Sequence, residues 1–398
     1  RQKGYKPERK KMKLLIINYM ALPIPPVKGG AVEYLINEFL EDNEKKHLHD
    51  IVLYSIYDEN AEREAKNYKY TEFKFIKIRG IFDKADRAVR HVINRMPNVY
   101  VGNTYISKVI RKEKNLNQYD AVILENAPEF ALKIPNTFKK RLILHLHNDY
   151  LNNKTKNAEK IFNRFDEIYT ISDTLGDAVK TIKNSDKVKT LYNGVDLAKF
   201  SPDKELESAA RKKYNIKDDD FVIMYCGRIV PDKGVLELTK AFEKTEGANL
   251  RLLIVGGTAY SEFRKNEYFQ VVQSIADERV IFTGFIPFDS IQTLYNIADV
   301  GVIPSMCNDA FNLTVVEFCA YSVPLIISDR GAMKELVNDK CSVIAECDDN
   351  FVLNLENALK KMINNRDNLE QMGLEAKKVS EMFGIERYCK RFNELLNN

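Results

Sequence analysis

Two carboxylates bracket the segment NDAFNLTVVEFCAYSVPLI (308–326): Asp309 and, eight positions later, Glu317. The run around Glu317 is apolar, and Pro324 followed by a short β-branched run closes it. The spacing predicts a helix beginning near Asn312. Free backbone N–H groups at such a start, with the positive end of the helix dipole, make an anion site. Glu317 then stands about one and a half turns into the helix, within reach of hydroxyls on a group attached to the bound phosphates. Asp309, in the loop before the helix, reaches a different set. A second cluster carries cations: in CGRIVPDKGV, Arg228 and Lys233 are five apart, framed by Gly227 and Gly234 and stiffened by Pro231. A planar guanidinium fork and a point-charge ammonium on one loop suit a diphosphate. A plain solvated basic loop is the alternative. Taken together, the spacing suits a polyhydroxylated ligand with a diphosphate in its middle, a nucleotide-sugar. The competing reading is a helix N-terminus that favours Asp, with a partly buried Glu317 pairing with Arg228.

These residues need a scaffold, and the chain supplies a regular one. Short β-branched runs alternate with amphipathic stretches at 13–19, 50–56, 73–78, 121–126, 142–147, 167–172 and 188–194, and again at 221–227, 251–257, 280–285, 300–305, 324–329 and 342–346. Continuous apolar runs with helical spacers predict parallel strands covered on both faces. The fold class is therefore α/β, with two Rossmann-like, doubly wound domains. The charged, Pro-containing stretch 200–220 separates them. The expected division is 12–205, 206–380 and a terminal amphipathic helix within 381–398, with apolar residues at Met382, Ile385, Tyr388, Phe392, Leu395 and Leu396. In such sheets ligands bind beyond the carboxyl ends of the strands. Two domains facing one another by those edges would enclose a cleft.

Composition narrows the class. The chain has 398 residues, 44% hydrophobic and 30% charged, enough for two cores. A net charge of +4 is far below that of a dedicated nucleic-acid binder, and no nucleic-acid partner is expected. The six cysteines all lie in the second half and form no CxxC pair, which reads as reduced thiols in a cytosolic protein. The basic, polar start RQKGYKPERKKM lacks the apolar core of a signal peptide. Met12 would make a natural initiator, so residues 1–11 are set aside from the fold. No apolar run approaches the ~20 residues needed to span a bilayer. The expected location is cytoplasmic, or peripheral at the inner face of the cell membrane.

In the first half, Gly29 and Gly30 precede a helical pattern, so backbone can approach a ligand closely there. This is not a GxGxxG, and none occurs anywhere in the chain, which counts against a dinucleotide oxidoreductase. LILHLHNDY places His145 and His147 on the same face of a strand, with His147 at the carboxyl end. No third and fourth ligands at diagnostic spacing accompany them, and no metal is expected. His47 and His49 precede a strand, at the wrong edge, as does the DDD run at 218–220; these read as structural.

With those pieces placed, the chain resembles the retaining glycosyltransferases of family 4, of GT-B fold, from Met12 to the C-terminus. The resemblance rests on KGGAVEYL, HLHND, YTISD (169–173), LYNGVDLAKFSP (191–202), GRIVPDKG (227–234), LLIVGG (252–257), VIFTGFIP (280–287) and the 304–337 segment, in this order. The family's Glu-x7-Glu motif falls on Asp309 and Glu317, with Asp in the first position and AFNL where GFGL is usual. The resemblance implies that Glu317 holds the nucleotide ribose. Arg228 and Lys233 would hold the diphosphate with backbone N–H groups of Asn312 and Leu313. Asp309 would contact donor-sugar hydroxyls, with His147 beside the sugar. Phe311, Gly256, Gly257 and Phe285 would belong to the same donor site, and Gly29 and Gly30 to the glycine turn. It also implies a terminal helix that crosses back onto the first domain, and a donor whose nucleotide is UDP before any other.

The leaving diphosphate's charge can be met by Arg228, Lys233 and the helix start, so transfer without a metal or other cofactor is expected. The sequence shows no obvious nucleophile for a double displacement. The resemblance implies same-face attack, with the departing phosphate taking the acceptor's proton. The expected acceptor is a glycan or a lipid-diphosphate-linked glycan in surface polysaccharide assembly of bacterial type. Residues 79–114 carry nine Lys/Arg against three acids with apolar residues interleaved, either a segment resting on an anionic membrane or a solvated basic helix pair. The rival readings are a nucleotide-sugar epimerase and a non-catalytic, glycosyltransferase-like partner subunit.

Overall fold

The computed structural model describes residues 11–19, 21–78, 89–90, 93, 100, 102–200, 203–257 and 267–397. Two compact units emerge: residues 1–194 with 386–398, and Val195–Ile385. The chain thus passes from the first unit to the second at 194/195, where the sequence placed the change at 205/206, and the first unit takes back the last thirteen residues.

The first unit is built on strands β1 (Met12–Ile17), β2 (His49–Ile56), β3 (Thr71–Ile76), β4 (Ala121–Glu125), β5 (Arg141–Leu146), β6 (Glu167–Thr170) and β7 (Val188–Thr190). They form one sheet in the order β3-β2-β1-β4-β5-β6-β7, every pair parallel. The second unit is built on β8 (Phe221–Cys226), β9 (Leu250–Val255), β10 (Val280–Gly284), β11 (Val300–Ile303), β12 (Leu325–Ser328) and β13 (Ser342–Ala345), in the order β10-β9-β8-β11-β12-β13 and again all parallel. All thirteen expected runs form strands. The runs reach a residue or two past most strands because the carboxyl-end residues leave the ladder for the loops. Strands β4, β11 and β12 are buried from end to end, and β1 is buried except at Lys13, as a sheet covered on both faces requires.

Strand order reverses beside β1 in the first sheet, where β4 joins it, and beside β8 in the second, where β11 joins it. Loops leaving those strands in opposite directions open a crevice at their carboxyl ends. Four helices flank these crevices or close the core: α1 (Ala31–Lys46), α2 (Val235–Glu243), α3 (Leu313–Ala320) and α4 (Ile385–Asn397). Gly301 in β11 lets α3 settle onto the sheet: a Cβ there would lie 2.7 Å from the Phe318 ring. Helix α4 buries Tyr388, Phe392, Leu395 and Leu396. Phe392 lies 4.5 Å, ring to ring, from Phe39 of α1, and Asn393 Oδ1 lies 2.8 Å from His49 Nε2. Burying such a ring contributes roughly 2–3 kcal/mol, so the last turns of the chain are part of the first unit's core. His49 is structural, as its position at the amino end of β2 implies. The 218–220 turn carries Asp220, which pairs with Arg251 at 3.1 Å. All six cysteines are free thiols.

Candidate active site

The second unit gathers its polar residues at the β8/β11 crevice. Beyond β8, the chain turns through Gly227 and a single 3₁₀ turn, Pro231–Lys233, before α2. Gly234 has φ +67, and a Cβ on it would sit 1.9 Å from the Pro304 carbonyl oxygen. Only glycine allows the two loops to come that close. Gly256, after β9, has φ +138 and would place a Cβ 1.9 Å from the Gly227 carbonyl. The Gly257 carbonyl accepts from the Ile229 amide at 2.9 Å. Gly256 and Gly257 therefore shape the 227–234 loop.

Lys233 and Asp309, 76 residues apart in sequence, meet across the crevice. Lys233 Nζ lies 2.7 and 2.8 Å from the two Asp309 oxygens and 3.5 Å from Cys307 Sγ. Ser305 Oγ and Asn312 Nδ2 donate to Asp309 Oδ2 at 3.0 and 3.2 Å. Burial works against the Lys233 ammonium, but Asp309 outweighs it and holds its pKa above the ordinary lysine value. Gly331, at φ +59, packs directly beneath the Asp309 backbone, where a Cβ would meet its carbonyl oxygen at 2.4 Å.

Helix α3 begins where the sequence places it. Asn312 is the N-cap, its Oδ1 accepting from the Thr314 amide at 3.1 Å, and its carbonyl accepts from Val315. The amides of Asn312 and Leu313 form no hydrogen bond among the described residues, leaving two first-turn donors for a ligand. Glu317 is held from the far side: Tyr295 OH donates to its Oε2 at 2.6 Å, and burial raises the carboxyl pKa. Arg228 directly follows the Gly227 turn, its carbonyl accepting from Tyr225 OH at 2.7 Å. A cavity of about 210 Å³ opens beside Lys233 and Asp309, lined among others by Gly227, Ser305, Phe311, Asn312 and Leu313; Arg228 and Glu317 lie outside that lining. Phe285, after β10, is exposed and outside that lining.

In the first unit, Gly29 (φ +77) and Gly30 (φ +104) turn the chain into α1. The Glu33 carboxylate lies against Gly30, 2.2 Å from where a Cβ would be. The amino end of α1 is thus occupied by the chain's own acid, whose pKa burial raises. His147 is buried at the end of β5, with Nε2 3.0 Å from Glu125 Oε2. His145 and Glu125 complete a buried cluster whose ligand-type atoms lie within 4.8 Å of one another. Neither acid was singled out from sequence. Glu125 closes the run AVILE at the carboxyl edge of β4, so the strand-edge rule would have found it; Glu33 shows only as an acid in a first helical turn. Ser305, Cys307 and Tyr295 became visible only through their contacts. About half of the basic segment 79–114 lies outside the described residues; its described part includes a helix, Thr104–Lys112, with Arg111 and Lys112 in the last turn. Among the described residues no helix is long and apolar enough to cross a membrane.

Two all-parallel Rossmann-like sheets, of seven and six strands, give the chain the GT-B fold. Residues 207–379 match the model of the family Glycosyl transferases group 1. The whole chain is similar to the putative glycosyltransferase YtcC of Bacillus subtilis, 25% identical over 96% of this chain and 91% of that protein. It is 27% identical to the lipopolysaccharide 1,2-N-acetylglucosaminetransferase of Salmonella typhimurium over 72% of this chain and 75% of the relative. Among solved structures, HepE of Anabaena in complex with UDP superposes with a TM-score of 0.75 at 17% identity, covering 97% and 99% of the two chains, a likeness of fold.

Proposed function

We propose that the chain transfers a sugar from a nucleotide-diphosphate sugar, UDP being the first nucleotide to test, to a glycan or lipid-diphosphate-linked glycan, with retention of configuration and without a metal ion. The observation that carries this reading is the convergence of the Lys233 ammonium and the free Asn312 and Leu313 amides on one cavity. A diphosphate seated there meets a point charge and oriented dipoles at the position where negative charge grows as the C–O bond breaks. Arg228, on the same loop, adds a second cation. Glu317, fixed by Tyr295, takes the ribose hydroxyls. Asp309 gives part of its Lys233 contact to the ligand and accepts from hydroxyls of the donor sugar. Those groups supply the charge stabilisation a divalent ion supplies elsewhere, so the chemistry balances without one. The acceptor hydroxyl attacks on the face the phosphate leaves, and the departing phosphate oxygen takes its proton.

The HepE complex with UDP supports the nucleotide, and the lipopolysaccharide N-acetylglucosaminyl transfer of the Salmonella relative supports a glycan acceptor. Thermal shift with UDP-, GDP-, dTDP- and ADP-sugars, followed by product analysis of the best donor, tests the reading. The expected product keeps the donor's anomeric configuration, and EDTA leaves the rate unchanged. An inverted product or a chelator-sensitive rate overturns retention or metal independence respectively. Flotation with anionic liposomes tests a peripheral membrane contact through 79–114.

A further inference from the structure

Glu125, His145 and His147 form a buried ionisable cluster that the donor chemistry leaves unexplained. Glu125 ends β4, and the two histidines stand two apart on neighbouring β5, on one face of the strand. Glu125 Oε2 lies 3.0 Å from His147 Nε2 and 3.0 Å from His145 Nδ1, and the three side chains are at most 2% exposed. The contact to His147 is a hydrogen bond. Both ring nitrogens of His145 are sealed and lack a hydrogen bond of good geometry, although Nδ1 lies 3.0 Å from the Glu125 carboxylate. Three ligand-type atoms this close suit a metal in number. A tetrahedral ion at ~2.1 Å from each would, however, hold them about 3.4 Å apart. The 3.0 Å spacing is that of a direct carboxylate–imidazole hydrogen bond.

The direction of that bond follows from chemistry. Burial works against ionised Glu125, but His145 and His147 outweigh it and bring the carboxyl down to about 2. Burial, with His145 beside it, lowers His147 to about 4, so the imidazole is neutral at pH 7. An ionised carboxylate only accepts, so Nε2 carries the proton and Nδ1 the lone pair. His147 Nδ1 forms no hydrogen bond among the described residues and is not among the sealed, unpaired atoms, so it is the ring nitrogen left to accept one. The strand end is pinned as well: Asn126 Oδ1 accepts from the His147 amide at 3.1 Å. From α4, Tyr388 stacks against His145 at 6.3 Å and Phe392 packs on it tilted at 5.4 Å, and from α1 Glu33 faces Glu125.

We propose that Glu125 is a positioning residue that locks His147 in its Nε2–H tautomer, so that Nδ1 is presented as a hydrogen-bond acceptor for a substrate hydroxyl. This rests on His147 contacting the substrate, and the test separates the two claims. Two-bond ¹H–¹⁵N correlation spectra of the full chain with ¹⁵N-histidine report the tautomer, with His147→Asn giving the assignment. Neutral Nε2–H is expected for His147 at pH 7. Glu125→Gln, whose amide also donates, is expected to populate the Nδ1–H form and lower kcat 10–100-fold with UDP affinity unchanged. Glu125→Asp is expected to keep the tautomer and most of the activity. An Nδ1–H or charged His147 in the wild type, or an unchanged tautomer in Glu125→Gln, overturns the proposal. One equivalent of zinc in the purified wild type, lost in Glu125→Gln, overturns it in favour of a metal centre. A switched tautomer with unchanged turnover overturns the substrate contact of His147 and leaves Glu125 as its lock.

Discussion

Replacing Lys233 by methionine removes one charge and keeps most of the side-chain volume. Its ammonium lies 2.7–2.8 Å from both Asp309 oxygens, and the two side chains are 18% and 20% exposed. At an effective dielectric of about 20 the gross attraction is about 4 kcal/mol. Desolvation of both ions removes much of it, and residual solvent screens the pair, leaving a loss of about 2 kcal/mol. In a unit of this size that lowers Tm by roughly 4–8 °C. The functional loss is separate. A charge-assisted contact to the diphosphate is worth about 1.5–3 kcal/mol, a roughly 10- to 150-fold weaker UDP affinity by calorimetry. Turnover falls further, by about 10²–10³-fold, because the leaving charge is fully developed only in the transition state. Asp309→Asn breaks the same ion pair but frees the ammonium. It is expected to cost similar stability and to bind UDP as tightly as wild type or up to about tenfold tighter. Weaker UDP binding in Lys233→Met with no loss in Asp309→Asn, and the same sign in stability for both, mark Lys233 as a phosphate ligand. If Lys233→Met melts earlier yet binds UDP like the wild type, the pair is structural and the site has been misread.

Other perturbations give further checks. Glu317 has its folded pKa raised by burial, so its stabilising contribution is full below about pH 4 and lost as pH rises through the folded value. Glu317→Gln should therefore raise Tm at pH 7 by about 2–4 °C, an effect fading towards pH 4 in calorimetry, while weakening UDP binding at least about tenfold. For Lys233 the pKa is raised as well, and its contribution is present below about pH 10 and lost above it; wild type and Lys233→Met should converge in stability in strongly alkaline buffer. Gly234→Ala forces a Cβ onto the Pro304 carbonyl at positive φ and should cost more than about 3 kcal/mol by chemical denaturation; an unchanged midpoint would contradict the loop packing. Phe392→Ala empties the ring site between α1 and β5 and should cost about 3–5 kcal/mol, read as loss of the first unit's melting transition.

Much of this was legible in the residues alone. Alternation of apolar runs with helical spacers determined that each half is a parallel sheet, because a strand covered on both faces has no polar side to show. The rule that ligands sit beyond strand carboxyl ends then singled out Arg228, Lys233, Asp309 and His147 from the other charged residues. Asn312 as a cap and Glu317 within one helix were local facts, set by spacing along a single element. Strand order was not local. That β11 lies beside β8, and so brings Asp309 onto Lys233, depends on how two loops separated by 76 residues share a crevice. The same holds for Tyr295 on Glu317, for Glu125 under His147, and for Glu33 closing the amino end of α1. Each joins groups from different elements, and a carboxylate's partner is fixed by which backbones approach. Linear spacing records only how far apart the groups stand along the chain.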